Sequence, residues 1–135
     1  MREFTTEATL DQLDEVLAFV EEDLEKCSED PKANIQIDIA VEEIFVNIAH
    51  YAYTPNVGQA VIRTEISEDP KMISITFIDS GIAFDPLAKP DPDVTLPAEQ
   101  RQIGGLGIYM VKKSMDEVTY ERKDDQNILT IRKKI

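Results

Sequence analysis

Cysteine and histidine are almost missing from this chain, and their scarcity removes several chemistries at once. Cys27 is the one cysteine, so no internal disulfide forms, which fits a reducing compartment. On a helix it reads as a buried hydrophobe rather than a nucleophile. His50 is the one histidine, and without a cysteine or second histidine it cannot build a zinc site. Basic residues are short as well: 14 Lys and Arg stand against 27 Asp and Glu, a net charge of −13. That balance argues against a nucleic-acid or anionic-membrane surface, and it permits a basic protein partner or a divalent cation. No apolar run approaches the roughly 20 residues of a membrane span, and no signal peptide is read before Phe4. The reading is a cytoplasmic, soluble domain spanning 1–135, its 42% hydrophobic content sufficient for one core.

Periodicity then orders the chain. Arg2 to Thr9 alternates as an edge strand, and Thr9 is placed to cap a helix whose stripe is Leu10, Leu13, Val16, Leu17, Val20 and Leu24. Ser28-Glu29-Asp30-Pro31 breaks it. A second helix runs from about Lys32 to Tyr53 on Ile37, Val41, Ile44, Phe45, Ile48 and Ala52. Gln59 to Ser67 and Lys71 to Asp79 form a hairpin around Glu68-Asp69-Pro70. Ile108, Val111 and Met115 mark a third helix, with Lys112 and Lys113 suiting its C-terminal dipole. Val118 to Arg122 and Asn127 to Lys133 make a second hairpin around Asp124-Asp125. The order β-α-α-β-β-loop-α-β-β predicts an α+β, two-layer sandwich, with helices on one face of a mixed, mostly antiparallel sheet.

Three stretches carry chemistry. On the second helix, Glu43 and Asn47 are four residues apart, hence neighbours beside the apolar stripe, while Glu42 points away to solvent. A carboxamide oxygen suits Mg²⁺, and a carboxylate beside it can orient or deprotonate a hydroxyl. In the strand from Lys71, Asp79 shares a face with Ile73, Ile75 and Phe77. A carboxylate ending a core-facing row needs a donor, and an adenine amino group would be one. Gly81 lets the chain turn tightly there, and Phe84 is placed to wall a pocket. Gly104, Gly105 and Gly107 lie immediately before the third helix, where bare N–H groups suit a phosphate. They follow a proline-rich stretch long enough to be a closing loop, and Arg101 at its end is placed to reach a phosphate. No Gly-Lys-Ser/Thr occurs, no Rossmann unit surrounds the glycines, and no protein-kinase His-Arg-Asp or Asp-Phe-Gly is present.

Together these motifs resemble the GHKL ATPase superfamily, the ATP-binding fold of histidine kinases and gyrase. Glu42-Glu43-x-x-x-Asn47 resembles its N box, Asp79-x-Gly81-x-Ala83 its G1 box and Gly105-x-Gly107 its G2 box, with an ATP lid at about 85–103. Val41 to Tyr53 and Gly104-Gly105-Leu106-Gly107-Ile108-Tyr109-Met110-Val111 are similar to the anti-sigma-factor serine kinases. The resemblance implies ATP and Mg²⁺ as cofactors, Asn47 on the metal and Glu43 as general base. It implies Asp79 on adenine N6, Gly81 and Ala83 shaping the base pocket, and Arg101, Gly104, Gly105 and Gly107 on the phosphates. Ala83 departs from the glycine usual there, and being small it should preserve ATP binding. The implied substrate is a serine of a STAS-domain anti-anti-sigma protein. The implied second partner is a sigma factor, sequestered by a homodimer. The alternative is a non-catalytic, nucleotide-gated binding module on the same fold.

Overall fold

The computed structural model describes residues 1–88 and 106–135. In chain order the elements are β1 (Arg2–Glu7), a 3₁₀ turn (Leu10–Gln12), α1 (Leu13–Cys27), α2 (Pro31–Tyr51), β2 (Gln59–Ser67), β3 (Met72–Asp79), α3 (Leu106–Ser114), β4 (Glu117–Lys123) and β5 (Gln126–Lys134). The strands form one sheet in the order β1-β2-β3-β5-β4, each neighbouring pair antiparallel. Alternation assigns one face of this sheet to the core. Ala60, Ile62 and Thr64 of β2, Ile73, Ile75 and Phe77 of β3, and Leu129 and Ile131 of β5 are buried there. They pack against Val16, Phe19, Val20 and Leu24 of α1, Ile37, Val41, Ile44 and Phe45 of α2, and Val111 of α3. The two-layer α+β sandwich expected from element order is therefore the architecture observed.

Local chemistry sets the boundaries. Asp30 caps α2 by accepting from the Ala33 N–H at 3.1 Å, and Pro31 occupies the first turn, where a missing N–H costs nothing. Asp124 and Asp125 both lie at positive φ, 53° and 60°, so they close the β4–β5 hairpin as a two-residue turn of the primed type. Arg2 ties the edge strand to α1. Its guanidinium sits 4.4 Å from the Phe19 ring centroid and pairs with Asp23 at 3.0 Å.

Three expectations are corrected. Thr9 precedes the 3₁₀ turn, not α1 itself, and its side chain makes no capping bond. Leu10 lies on that turn, outside the α-helical period, and is 50% exposed. Cys27 ends α1 and is only half-buried.

Asp38 of α2 meets Glu21 of α1 at a cost. Oδ1 of Asp38 is buried without a partner among the described residues. Burial, followed by the charge of Glu21 and a hydrogen bond with it, raises the Asp38 pKa from 3.8 to about 6. The folded state thus holds this proton more tightly than the unfolded chain does. Its contribution to stability is full below 3.8 and is lost as pH rises to about 6. Asp38→Asn should abolish that loss and stabilise the neutral-pH protein by about 1 kcal/mol or less, after solvent screening. Urea titrations across this pH window check it.

Candidate functional site

One end of the sandwich opens into a cleft of about 500 Å³, counting its open mouth. Ile44, Asn47, Ile48, Tyr51 and Ala52 of the α2 segment form one wall. Phe77, Asp79, Tyr120, Asn127 and Leu129 form the sheet side, and Ile82, Phe84, Pro86 and Ile108 complete it. The lining is mostly apolar with a few convergent polar groups, as expected of a small-molecule site.

At the sheet side, Asp79 is 5% exposed. The core-facing row thus ends on a buried carboxylate, as the alternation predicts. Its Oδ1 accepts from the Gly81 N–H and from Asn127 Nδ2, both at 2.9 Å. Its Oδ2 takes no hydrogen bond from the described residues, which leaves an acceptor at the cleft. Gly81 is where the chain must pass close to α2. A Cβ there would overlap the Ala52 backbone, while the next N–H, that of Ile82, bonds to the Ala52 carbonyl at 3.0 Å. Tyr53 joins the same turn to the start of β2: its hydroxyl donates to the Gln59 carbonyl and accepts from the Ser80 N–H.

On α2, Glu43 and Asn47 do share a face, with Asn47 Nδ2 donating to Glu43 Oε1 at 3.5 Å. The amide nitrogen is thereby turned to the carboxylate, and Oδ1 of Asn47 has no partner among the described residues. Glu42 is exposed, as its helical angle requires. Gly107 meets Glu43: any Cβ at this position would overlap the carboxylate. Gly107 belongs to the first turn of α3, which begins at Leu106, rather than preceding the helix as the sequence suggests. Ala83 is exposed and lines no part of the cleft. Arg101, Gly104, Gly105 and all but residues 85–88 of the expected lid lie outside the described residues.

The sequence reading missed Asn127, Tyr120, Tyr53 and Arg122, whose guanidinium donates to the Gly81 carbonyl at 2.9 Å. Asn127 did leave a signal, since it shares parity with Leu129 and Ile131 and so faces the core.

Residues 6–133 match the histidine kinase-like ATPase domain. The chain belongs to that family. Among curated relatives, it is 27% identical over 95 residues to the serine/threonine-protein kinase BtrW of Bordetella bronchiseptica, covering 70% of this chain and 66% of that protein. It is 30% identical over 95 residues to the serine-protein kinase RsbW of Bacillus cereus, covering 67% of this chain and 58% of that one. The matched region thus spans somewhat less than two thirds of either relative. In fold, a chain of the SiaB–SiaC complex from Pseudomonas aeruginosa superposes with a TM-score of 0.59 at 16% identity, covering all of this chain and 90% of that chain. No helix among the described residues is long and apolar enough to cross a membrane.

The two glycines should respond differently to alanine. Gly81→Ala meets rigid backbone and should cost about 1–3 kcal/mol of stability. Gly107→Ala meets the end of a flexible side chain and should leave stability within about 1 kcal/mol while displacing Glu43. Chemical denaturation of both variants checks the contrast.

Proposed function

We propose that this chain is an ATP- and Mg²⁺-dependent protein serine kinase of the anti-sigma-factor type. Its substrate would be a serine of a STAS-domain anti-anti-sigma protein, and its second partner a sigma factor bound by the kinase homodimer. The observation that carries this reading is the pairing of Glu43 and Asn47 on one helix face, with Asn47 and Asp79 lining the same cleft from helix and sheet. The family, and relatives named as serine kinases, support it.

In this reading Asp79 Oδ2 accepts from the adenine amino group, and Gly81 sets the turn whose Ile82 and Phe84 wall the base pocket, while the exposed Ala83 takes no part in that wall. Gly104, Gly105, Gly107 and Arg101 contact the phosphates. No group of three or more His, Cys, Asp or Glu side chains among the described residues is placed to hold a metal. The Oδ1 of Asn47, unpartnered among the described residues, would offer one hard oxygen ligand to Mg²⁺, whose shell phosphate oxygens and water would complete. When bound, Mg²⁺ would offset the phosphate charge. Glu43 orients the substrate hydroxyl and takes its proton as the serine oxygen bonds to the γ-phosphorus. The bond from that phosphorus to the bridging oxygen of ADP breaks. The close approach of α3 at Gly107 sets where that carboxylate rests.

The test is incubation with ATP, Mg²⁺ and the STAS-domain protein encoded nearest to it, read by mass spectrometry. Phosphoserine should appear on the partner, and Glu43→Gln should slow its formation by roughly 10²–10⁴-fold. ATP affinity should stay within about threefold, since the base acts on the hydroxyl and not on the nucleotide. ATP-dependent complex formation without phosphoserine would instead identify a nucleotide-gated binding module.

A further inference from the structure

Asn127 is 7% exposed at the start of β5, directly opposite Asp79 in the β3–β5 register. Its carboxamide is fully used. Nδ2 donates to Asp79 Oδ1 at 2.9 Å and to the Ile82 carbonyl at 2.8 Å. Oδ1 accepts from the Phe84 N–H at 3.2 Å and from the Tyr120 hydroxyl. Two donors and two acceptor sites are all that a carboxamide has, so none remains for a ligand. The orientation of the amide is fixed too, because the Phe84 N–H can only donate and the Ile82 carbonyl can only accept.

We infer that Asn127 is the base-selecting positioning residue of this cleft: it holds Asp79 as a fixed acceptor, so that a purine bearing an exocyclic amino group is preferred over one bearing a carbonyl. The inference rests on the nucleotide reading given above. Its logic is geometric. With Oδ1 of Asp79 pinned by Asn127 and Gly81, the carboxylate cannot rotate, and Oδ2 is the atom presented to the cleft. An amino group there donates to it, whereas a carbonyl places oxygen against oxygen in a site that excludes much of the water. The same carboxamide holds the 82–84 segment through two backbone groups, and Ile82 and Phe84 of that segment line the cleft. Asn127 thus places the acceptor and the adjoining wall together. An aspartate at this position would set a second carboxylate against Asp79, and a leucine would leave Asp79 Oδ1 with one donor.

The experiment is calorimetric titration of the full chain with ATP and with inosine 5′-triphosphate, which carries a carbonyl where ATP has the amino group. The wild-type protein should prefer ATP by roughly 10- to 100-fold, the range for one buried hydrogen bond lost and its partner left unpaired. Asn127→Leu should erase that preference by weakening ATP, with inosine triphosphate affinity changing by less than about threefold. Tyr120→Phe, which removes one donor to Asn127 Oδ1, should shrink the preference by roughly two- to fivefold. A purely structural role would weaken both nucleotides alike, so an unchanged ratio in Asn127→Leu overturns the inference. If that variant fails to fold, an unchanged ratio in Tyr120→Phe does so. Wild-type protein binding both nucleotides equally overturns the selectivity and leaves the nucleotide site standing, whereas binding neither overturns the nucleotide reading of the cleft itself.

Discussion

A carboxylate buried at the end of a core-facing row is the constraint around which this end of the molecule is built. Desolvating an ionised Asp79 costs several kcal/mol unless donors replace the lost water. Two are supplied from different parts of the chain, the Gly81 N–H two residues on and the Asn127 carboxamide 48 residues on. Each supplier is then held in turn. Gly81 must pass against the Ala52 backbone, so no side chain is admissible there, and Arg122 holds its carbonyl. Asn127 is fixed by Ile82, Phe84 and Tyr120. A single desolvated group thus organises the turn after β3, the end of α2 and the β4–β5 hairpin.

Helix α2 connects this end of the cleft to the other. It carries Glu43 and Asn47 one turn apart, and its C-terminal segment reaches the Asp79 turn through Ala52 and Tyr53. Its apolar stripe is locked by Ile37, Val41, Ile44 and Phe45 in the core, so rotation about its axis is blocked. The spacing between the two polar ends of the cleft is therefore a property of the packed core rather than of a loop. Groups that must act on one ligand are best placed on rigid elements of this kind.

Much of this was legible in the sequence because it follows from local period and turn chemistry. The element order, the burial of Ile73, Ile75, Phe77 and Asp79 on one face, and the Asp124-Asp125 turn all follow from spacings within a few residues. So does the Glu43–Asn47 pair. Of five glycines, four fall in the two glycine-bearing motifs, and the two of them that are described both sit where a Cβ would overlap a neighbour. Contacts made across the sheet were not legible. That Asn127 faces the core follows from parity, but that it meets Asp79 depends on the register of β5 against β3, which α3 and the long connection before it separate in sequence. Tyr53 escaped for a related reason: it stands beyond the last helical residue, and its hydroxyl acts on Ser80, 27 residues away. Ala83 shows the converse limit, where a motif position does not fix which way a turn residue faces.

The polar groups at the Asp79 turn and on α2 differ in how far the protein commits them. At the Asp79 turn the protein holds Asp79 Oδ1 and the whole Asn127 carboxamide, leaving Asp79 Oδ2 as an acceptor beside apolar walls. On α2 the pair is under-committed: Asn47 Oδ1, beside the cleft, is unpartnered among the described residues, and the Asn47–Glu43 bond is long at 3.5 Å. A weak internal bond is cheap to exchange for bonds to an incoming cation or hydroxyl, whereas a saturated network is not. The fold therefore holds the Asp79 turn rigidly and leaves slack at the Glu43–Asn47 pair. On the proposed reading, base recognition and phosphoryl transfer are separable, because Asp79 and Asn127 share one hydrogen-bond network and Glu43 and Asn47 share another.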